Sequence, residues 1–181
     1  MWEAIGFSGL VASRDPRALL LKHFSVTGAS LSFRSRYLYL LLPIPKGWMH
    51  DAWIALLMSN VSDLSAIEEP MFAYRQHGTN QCGAPRRKRA NKHLLRRVDK
   101  YALHAQLYNE ALLRLNKFPG DIQNIDFKIK CLKEKVDFLY FRCRIPNKRI
   151  RRIPLCLYGL VSFRYHRYGR GWKHFIRDLI T

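Results

Sequence analysis

Apolar residues in the second half of the chain recur with the spacing of helices that pack in pairs. Two stripes, at positions 94–115 and 122–143, alternate steps of four and three residues. Their members are Leu94, Val98, Tyr101, Ala105, Tyr108, Leu112 and Leu115, then Ile122, Ile125, Ile129, Leu132, Val136, Leu139 and Cys143. A break that contains Pro119 and Gly120 separates the stripes. The pattern predicts an antiparallel helical hairpin whose second helix is capped by Asp121.

The rest of the chain predicts shorter elements. Residues 28–34 alternate small or polar side chains with apolar ones, which is typical of a strand. Pro43 and Pro45 are expected to end a short helix, and the segment 51–60 is apolar on nearly every side, as buried helices are. The predicted strands are 28–34, 64–67 and 71–75, and the predicted helices outside the hairpin are 37–42, 51–60 and 172–180.

Composition indicates a folded protein with an uneven charge. The chain has 181 residues, 48% of them hydrophobic, which is enough apolar material for a core. Residues 1–80 hold 7 basic and 6 acidic side chains, whereas residues 81–181 hold 25 and 7. Nearly all of the net charge of +19 therefore lies in the second half. Such a balance favours an anionic partner, either a membrane surface or a nucleic acid.

Several classes of protein are disfavoured. The four cysteines are widely spaced and form no Cys-x-x-Cys pair, so neither a zinc finger nor a disulfide framework is expected. The first residues do not form a secretory signal, and the longest apolar runs fall short of the roughly 20 residues that cross a bilayer. A protein of a reducing compartment fits these features best.

A carboxylate and an imidazole stand together where the proline-rich segment meets the predicted helix 51–60. Asp51 follows His50, and Trp48 and Trp53 flank the pair. A carboxylate on a rigid element that faces an open cleft is well suited to act as a general base. The alternative is that Asp51 only caps the helix, and Trp53 is expected to belong to the core rather than to a binding surface.

A second polar cluster follows the predicted strand 71–75. It consists of Arg75, Gln76, His77 and Asn80, with Gly78 and Thr79 between them. Arginine side chains and metal ligands both offset negative charge on a phosphate. The alternative is a turn fixed by Gly78 and Asn80, in which Arg75 pairs with Glu68 or Glu69.

The order of these motifs resembles that of a known family. Gly28-Ala29-Ser30, Phe33-Arg34, His50-Asp51-Ala52-Trp53, Glu69-Pro70 and Tyr74-Arg75-Gln76-His77-Gly78-Thr79-Asn80 occur within about residues 26–85. This arrangement resembles the C-terminal half of a bacterial family 2 glycosyltransferase, in particular the rhamnosyltransferase-like members that build cell-surface polysaccharides. The resemblance implies an α/β fold: a partial GT-A (nucleotide-diphospho-sugar transferase) domain at residues 1–85, followed by a basic helical appendage at 86–181 that contains the antiparallel helical hairpin.

The resemblance also implies a role for each residue. Asp51 would be the catalytic base of an inverting transfer from a dTDP- or UDP-sugar donor to a glycan acceptor. Arg75, Gln76, His77 and Asn80 would lie near the donor diphosphate, and His77 would be a metal ligand. Gly28, Ala29, Trp48 and His50 would lie near the acceptor or the sugar.

One part of the family pattern is missing from this chain. The complete enzymes hold a divalent cation, Mg²⁺ or Mn²⁺, through an Asp-x-Asp motif, and no such motif occurs here. Too few residues precede Gly28 to form a nucleotide-binding half. The chain is therefore expected to be inactive alone, with a separate chain supplying the missing half, or to be a non-enzymatic remnant. A third possibility, from the charge, is a basic module that binds nucleic acid or mediates self-association.

The basic tail has its own predicted partner. Lys148, Arg149, Arg151 and Arg152 precede a segment that mixes cations with aromatic residues and ends at Trp172. Cations and aromatic side chains together are typical of segments that bind anionic membrane surfaces. We expect residues 145–181 to bind such a surface, which would place the protein in the cytoplasm, peripherally on the inner face of the cell membrane. Nucleic acid is the second choice, because no recognised nucleic-acid motif carries the clusters.

Overall fold

All regular secondary structure in the described part of the chain is helical. A computed structural model describes residues 15–23, 26–67, 69, 73, 97–120 and 122–180. These residues form the α-helices α1 (Pro16–Lys22), α2 (Leu38–Leu41), α3 (His50–Val61), α4 (Arg97–Asn116), α5 (Ile125–Cys143), α6 (Arg149–Val161), α7 (Arg164–Tyr168) and α8 (Trp172–Ile180). No strand occurs among them. The predicted α/β class with a partial GT-A domain is therefore wrong for this part of the chain.

Two of the predicted strands, 28–34 and 64–67, are wrong because no described residue pairs with them, whereas 71–75 lies almost entirely outside the described residues. Within 28–34, Gly28–Ser30 is a turn of 3-10 helix, although Leu31 and Arg34 keep extended dihedral angles. Residues 64–67 are irregular, and of 71–75 only Ala73 is described, also without regular structure. A strand is stable only when its amide and carbonyl groups bond to a neighbouring strand, and the described residues offer none.

The predicted helix at 51–60 is confirmed as α3, which begins one residue earlier at His50. Its apolar side chains point in all directions, and Trp53, Leu56 and Leu57 are fully buried. The indole N–H of Trp53 donates to the carbonyl oxygen of Leu41 at 2.8 Å, which holds α2 against α3. The predicted helix at 37–42 corresponds to α2 and to the 3-10 turn before it.

The predicted antiparallel hairpin is confirmed as α4 and α5. The thiol of Cys143, at the end of α5, lies 3.5 Å from the carbonyl oxygen of Val98 at the start of α4. The residue that precedes α5 is Asn124, in a left-handed conformation with φ of 54°. Asp121, the predicted cap, lies outside the described residues. The predicted helix 172–180 is confirmed as α8.

Helix α5 contributes to two hydrophobic clusters. The larger one combines α1, α2 and α3 with the facing sides of the hairpin, and the smaller one lies between the end of α5 and helices α6 to α8. The smaller cluster comprises Phe138, Phe141, Ile145, Cys156, Tyr165 and Tyr168. The division at residue 85 stays a prediction, although side chains from both sides of it share the larger cluster.

Candidate functional site

The N-terminus of α3 carries the predicted base. His50 and Asp51 are the first two residues of the helix. Met49 precedes them as the N-cap residue and makes no side-chain capping bond. An acidic side chain in the first turn of a helix is stabilised by the unpaired amide groups and the helix dipole. The Oδ1 atom of Asp51 accepts a hydrogen bond from the amide of Ala52 at 2.8 Å.

Asp51 does not face an open cleft. Only 8% of the residue is exposed, whereas the neighbouring His50 is exposed. The described surface does contain a pocket of about 260 Å³, but Asp51 is not among the residues that line it. That pocket lies between α2 and α4 and is lined by Tyr39, Leu40, Glu110, Leu113, Arg114, Lys117 and Phe118. The expectation of an open cleft at Asp51 is therefore wrong for the chain in this conformation.

Two of the predicted acceptor residues do meet. A Cβ atom added to Gly28 would lie 2.4 Å from Nε2 of His50, a distance that real contacts do not allow. A glycine at position 28 thus lets the 3-10 turn reach the imidazole directly. Ala29, the next residue of the same turn, is exposed. The structure brings Gly28 to the α3 N-terminus across 22 residues of sequence.

Trp48 packs into the core next to this point. Its ring centroid lies 5.8 Å from that of Trp53 and 5.5 Å from that of Tyr108, and it is half-buried. Rings at these distances and tilted angles make favourable edge and offset contacts. Trp48 therefore anchors the loop before α3 to the hairpin, which was not its predicted role, and Trp53 is a core residue as expected.

The predicted donor side lies outside the described residues. Arg75, Gln76, His77 and Asn80 are not among the described residues, so the structure gives no distance between them and Asp51. Within the described ranges, no group of three or more His, Cys, Asp or Glu side chains is arranged to hold a metal ion.

Most of the predicted membrane-facing residues are exposed. Lys148, Arg149 and Arg151 are all exposed, as is Trp172 at 58%. Arg152 is different, because it is buried and donates to the carbonyl oxygens of Pro146 and Asn147, each at 2.7 Å. Arg152 closes the turn between α5 and α6 and does not belong to the exposed set. No helix that the structure describes is long and apolar enough to cross a membrane.

A buried polar network that the sequence pattern does not predict joins α5 to α8. Arg142 binds Asp178 through Nε–Oδ2 and Nη2–Oδ1 contacts of 2.6 Å each. The hydroxyl of Tyr165 donates to Oδ2 of Asp178 at 3.1 Å, and Nδ1 of His174 lies 3.4 Å from Nη1 of Arg142. Burial and the negative charge of Asp178 both raise the pKa of Tyr165. One sequence feature could have revealed this network: Asp178 is the only acidic residue after Asp137.

A buried lysine lies at the centre of the hairpin. Lys135 donates from Nζ to the carbonyl oxygen of Tyr168 at 2.6 Å and lies 5.4 Å from the ring centroid of Tyr108. Burial, with a smaller effect from Arg142, lowers the pKa of Lys135 to about 7. The hydroxyl of Tyr168 bonds to the carboxylate of Glu134. Tyr168 is therefore held both through its backbone carbonyl, by Lys135, and through its side chain, by Glu134.

Comparison with known proteins identifies no relative of this chain. No family model, no curated protein and no solved structure matches this chain. The resemblance to family 2 glycosyltransferases therefore rests on the motifs of residues 26–85 alone.

Proposed function

We propose that this chain is the acceptor-side portion of an inverting glycosyltransferase and that it is inactive by itself. The sugar would pass from a nucleotide-sugar donor to a cell-surface polysaccharide or its lipid-linked precursor. The observation that carries the proposal is the contact between Gly28 and His50 beside Asp51. Two motifs that the resemblance assigns to one acceptor site, far apart in sequence, lie together in space.

The chemistry assigned to Asp51 is proton abstraction. An acceptor hydroxyl is a weak nucleophile until a base takes its proton while it attacks the anomeric carbon. The bond from that carbon to the donor diphosphate breaks as the new glycosidic bond forms, and the nucleoside diphosphate leaves. Arg75 and His77 would stabilise the negative charge of the leaving group.

The described residues do not supply a set of ligands for the divalent cation that the resemblance implies. The sequence contains no Asp-x-Asp motif, and the described residues include no cluster of metal-ligating side chains. Our proposal assigns donor and metal binding to a separate chain. No step of the proposal is routed through a metal held by this chain.

The burial of Asp51 agrees with inactivity of the isolated chain. A general base must come within about 3 Å of the proton that it removes, directly or through one water. With 8% of the residue exposed, Asp51 does not offer its carboxylate to a substrate. Assembly with the donor-binding chain would have to expose the carboxylate of Asp51, whereas His50 is already exposed and accessible to a glycan.

The test is a reconstitution. The purified chain is assayed with dTDP-rhamnose and UDP-glucose, first alone and then with the product of any open reading frame immediately upstream that encodes an Asp-x-Asp motif. We expect no turnover alone and turnover with the second chain, lost in Asp51→Asn but kept in Asp63→Asn. Asp63 is the matched control, because it is an exposed carboxylate just after the same helix. Turnover by the chain alone, or equal turnover in both variants, would contradict the proposal.

A second candidate is a non-enzymatic remnant of such an enzyme, which the burial of Asp51 favours. It predicts that no upstream partner restores turnover. The same reconstitution therefore distinguishes the two candidates.

A further inference from the structure

Helix α6 has apolar side chains on two opposite faces. One face packs into the smaller cluster through the buried Cys156 and the partly buried Leu155 and Leu160. The opposite face is exposed and carries residues at steps of three and four: Ile150, Ile153, Leu157 and Val161. Ile150 is 83% exposed and Val161 is 76% exposed. Nothing in the described fold covers this stripe, although aliphatic side chains of this size are usually buried.

Helix α8 repeats the arrangement. Asp178 points inward and is fully buried, whereas Trp172, Ile176 and Ile180 follow one another at steps of four on the exposed side. Exposed cations lie next to this second stripe, at Lys173 and Arg177. The helix is thus strongly amphipathic, with its apolar exposed stripe bordered by positive charge.

The two stripes are connected by aromatic side chains. Phe163, which is 63% exposed, follows α6 directly, and its ring centroid lies 6.1 Å from that of His166. The ring of His166 in turn lies 5.8 Å from that of Trp172, the first residue of α8. The end of one stripe therefore adjoins the start of the other. We name the set Ile150, Ile153, Leu157, Val161, Phe163, Trp172, Ile176 and Ile180 the C-terminal apolar patch.

The charge around this patch has one sign. Residues 148–180 contain nine Lys and Arg side chains and one acidic residue, Asp178. That carboxylate is buried against Arg142, so it does not reduce the positive potential at the surface. Of the nine cations only Arg152 is buried. The patch is an apolar surface with a cationic border, without an exposed acid in this segment.

We propose that the C-terminal apolar patch docks onto an anionic lipid surface, with α6 and α8 lying in the plane of the membrane interface. Aliphatic and aromatic side chains would enter the headgroup region, and the bordering cations would contact lipid phosphates. Helix α6 has 13 residues. At 1.5 Å per residue it is about 20 Å long, less than the roughly 30 Å of the hydrocarbon core, so it lies on the bilayer rather than across it. This inference goes beyond the proposed function and does not depend on it.

Charge and composition together select a membrane over other partners. A nucleic acid would use the cations but would leave the aliphatic stripe of α6 in water, since phosphate contacts dominate such binding. A second copy of the chain would cover the stripe but would bring another set of exposed cations against the first, which like-charge repulsion opposes. An anionic bilayer satisfies both the apolar stripe and the cations.

The test is flotation of the full chain with vesicles. The vesicles are phosphatidylcholine alone or phosphatidylcholine with about one third phosphatidylglycerol. The key variant is Ile150→Gln, Val161→Gln and Phe163→Ser combined, and the matched control is Leu113→Gln with Val98→Gln. The control residues are exposed apolar side chains on α4, outside the patch. Circular dichroism checks each variant, and the single variant Val161→Gln serves if the combined one is less helical.

We expect the chain to float with the anionic vesicles and at least about tenfold less with phosphatidylcholine alone. The combined variant should lose about tenfold or more of its binding, Val161→Gln a smaller part of it, and the control variant none. Higher salt should weaken binding without abolishing it, because the apolar contacts remain.

Three results would overturn the proposal. The first is equal flotation of the patch and control variants. The second is binding to single-stranded RNA that is tighter than binding to vesicles and insensitive to the patch variant. The third is a dimer in sedimentation that the patch variant dissociates, which would assign the patch to a second copy of the chain.

Discussion

Arg142 and Asp178 form a two-contact ion pair that is nearly inaccessible to solvent. Both contacts measure 2.6 Å, and the side chains are 2% and 0% exposed. The guanidinium also lies 4.1 Å from the ring centroid of Tyr101. A planar guanidinium and a carboxylate match each other in this geometry, and burial removes the competing water. The pair fixes α8, and with it one half of the C-terminal apolar patch, to the hairpin.

Replacing Asp178 with Asn should destabilise the protein by about 3–5 kcal/mol, because it leaves the buried Arg142 without a counter-charge. Urea unfolding followed by circular dichroism measures the free energy of unfolding. Lys173→Met, at an exposed cation of the same helix, is the control and should change it by about 0.5 kcal/mol or less. The double variant Arg142→Met with Asp178→Leu should recover most of the loss, since it removes both charges. A loss in Asp178→Asn no larger than in the control would contradict the role of the pair.

Lys135 should make stability depend on pH above neutrality. Burial lowers its pKa from 10.5 to about 7 in the folded protein. Between these values the unfolded chain binds a proton that the folded chain has released, so stability rises as the pH increases through this window. Stability should be lowest below about pH 7, where the lysine is charged in both states.

The variant Lys135→Met should remove this rise. Urea unfolding at intervals between about pH 7 and 9 measures it, below the range in which tyrosines of the unfolded chain ionise. Lys133→Met is the matched control, because Lys133 is exposed on the same helix and should leave the pH dependence as it is. A wild-type protein whose stability is flat over this range would refute the assignment.

His174 should remain neutral well below its ordinary pKa. Burial first, and then the positive charge of Arg142, lower its pKa from 6.5 to about 3. Its Nδ1 atom accepts a hydrogen bond from the amide of Arg170 at 3.1 Å, which only the unprotonated nitrogen can do. The contribution of neutral His174 to stability is therefore fully present above about pH 6.5 and is lost as the pH falls towards 3. Titration of the imidazole signals by NMR checks this, and a His174 midpoint between about 6 and 7 would disagree with the structure.

Gly159 should not tolerate a larger residue. A Cβ atom at this position would lie 2.8 Å from Cε2 of Tyr165 and 3.0 Å from Cε1 of Phe141. Alanine normally favours a helix by about 1 kcal/mol over glycine, but the crowding should reverse the sign and cost about 1–3 kcal/mol. Thermal unfolding of Gly159→Ala measures this. Leu157→Ala, on the exposed face of the same helix, is the control and should change stability less. Stabilisation by Gly159→Ala would show that the aromatic cluster adapts easily.

The hairpin and α3 could be predicted because their signals are local. The heptad stripes of α4 and α5 depend on contacts between residues three and four apart and on one short connection. The segment 51–60 is predicted from apolar residues on nearly every side of the helix, a pattern that requires no knowledge of its partners. Local periodicity is sufficient for elements whose hydrogen bonds are all internal.

The strand at 28–34 was predicted wrongly because a strand depends on partners elsewhere in the chain. Its alternating pattern is real and part of its backbone is extended, but no described neighbour completes its hydrogen bonds. The burial of Asp51 was missed for a similar reason. A carboxylate in a first helical turn is buried or exposed according to how residues distant in sequence pack around it. The spacing of residues in the sequence does not predict that packing. The Arg142–Asp178 pair also joins distant positions, and only the scarcity of acids near Asp178 hinted at it.

The most direct test of the proposed acceptor site is glycan binding at the α3 N-terminus. The purified chain is applied to an array of oligosaccharides from bacterial surface polysaccharides, together with the variant His50→Ala. Lys46→Ala is the control, because it removes an exposed side chain from the same loop. We expect one class of oligosaccharide to be retained by the wild type and the control and to be lost in His50→Ala. Binding of no glycan at all, or equal binding by the three proteins, would contradict an acceptor site formed by Gly28, His50 and Asp51.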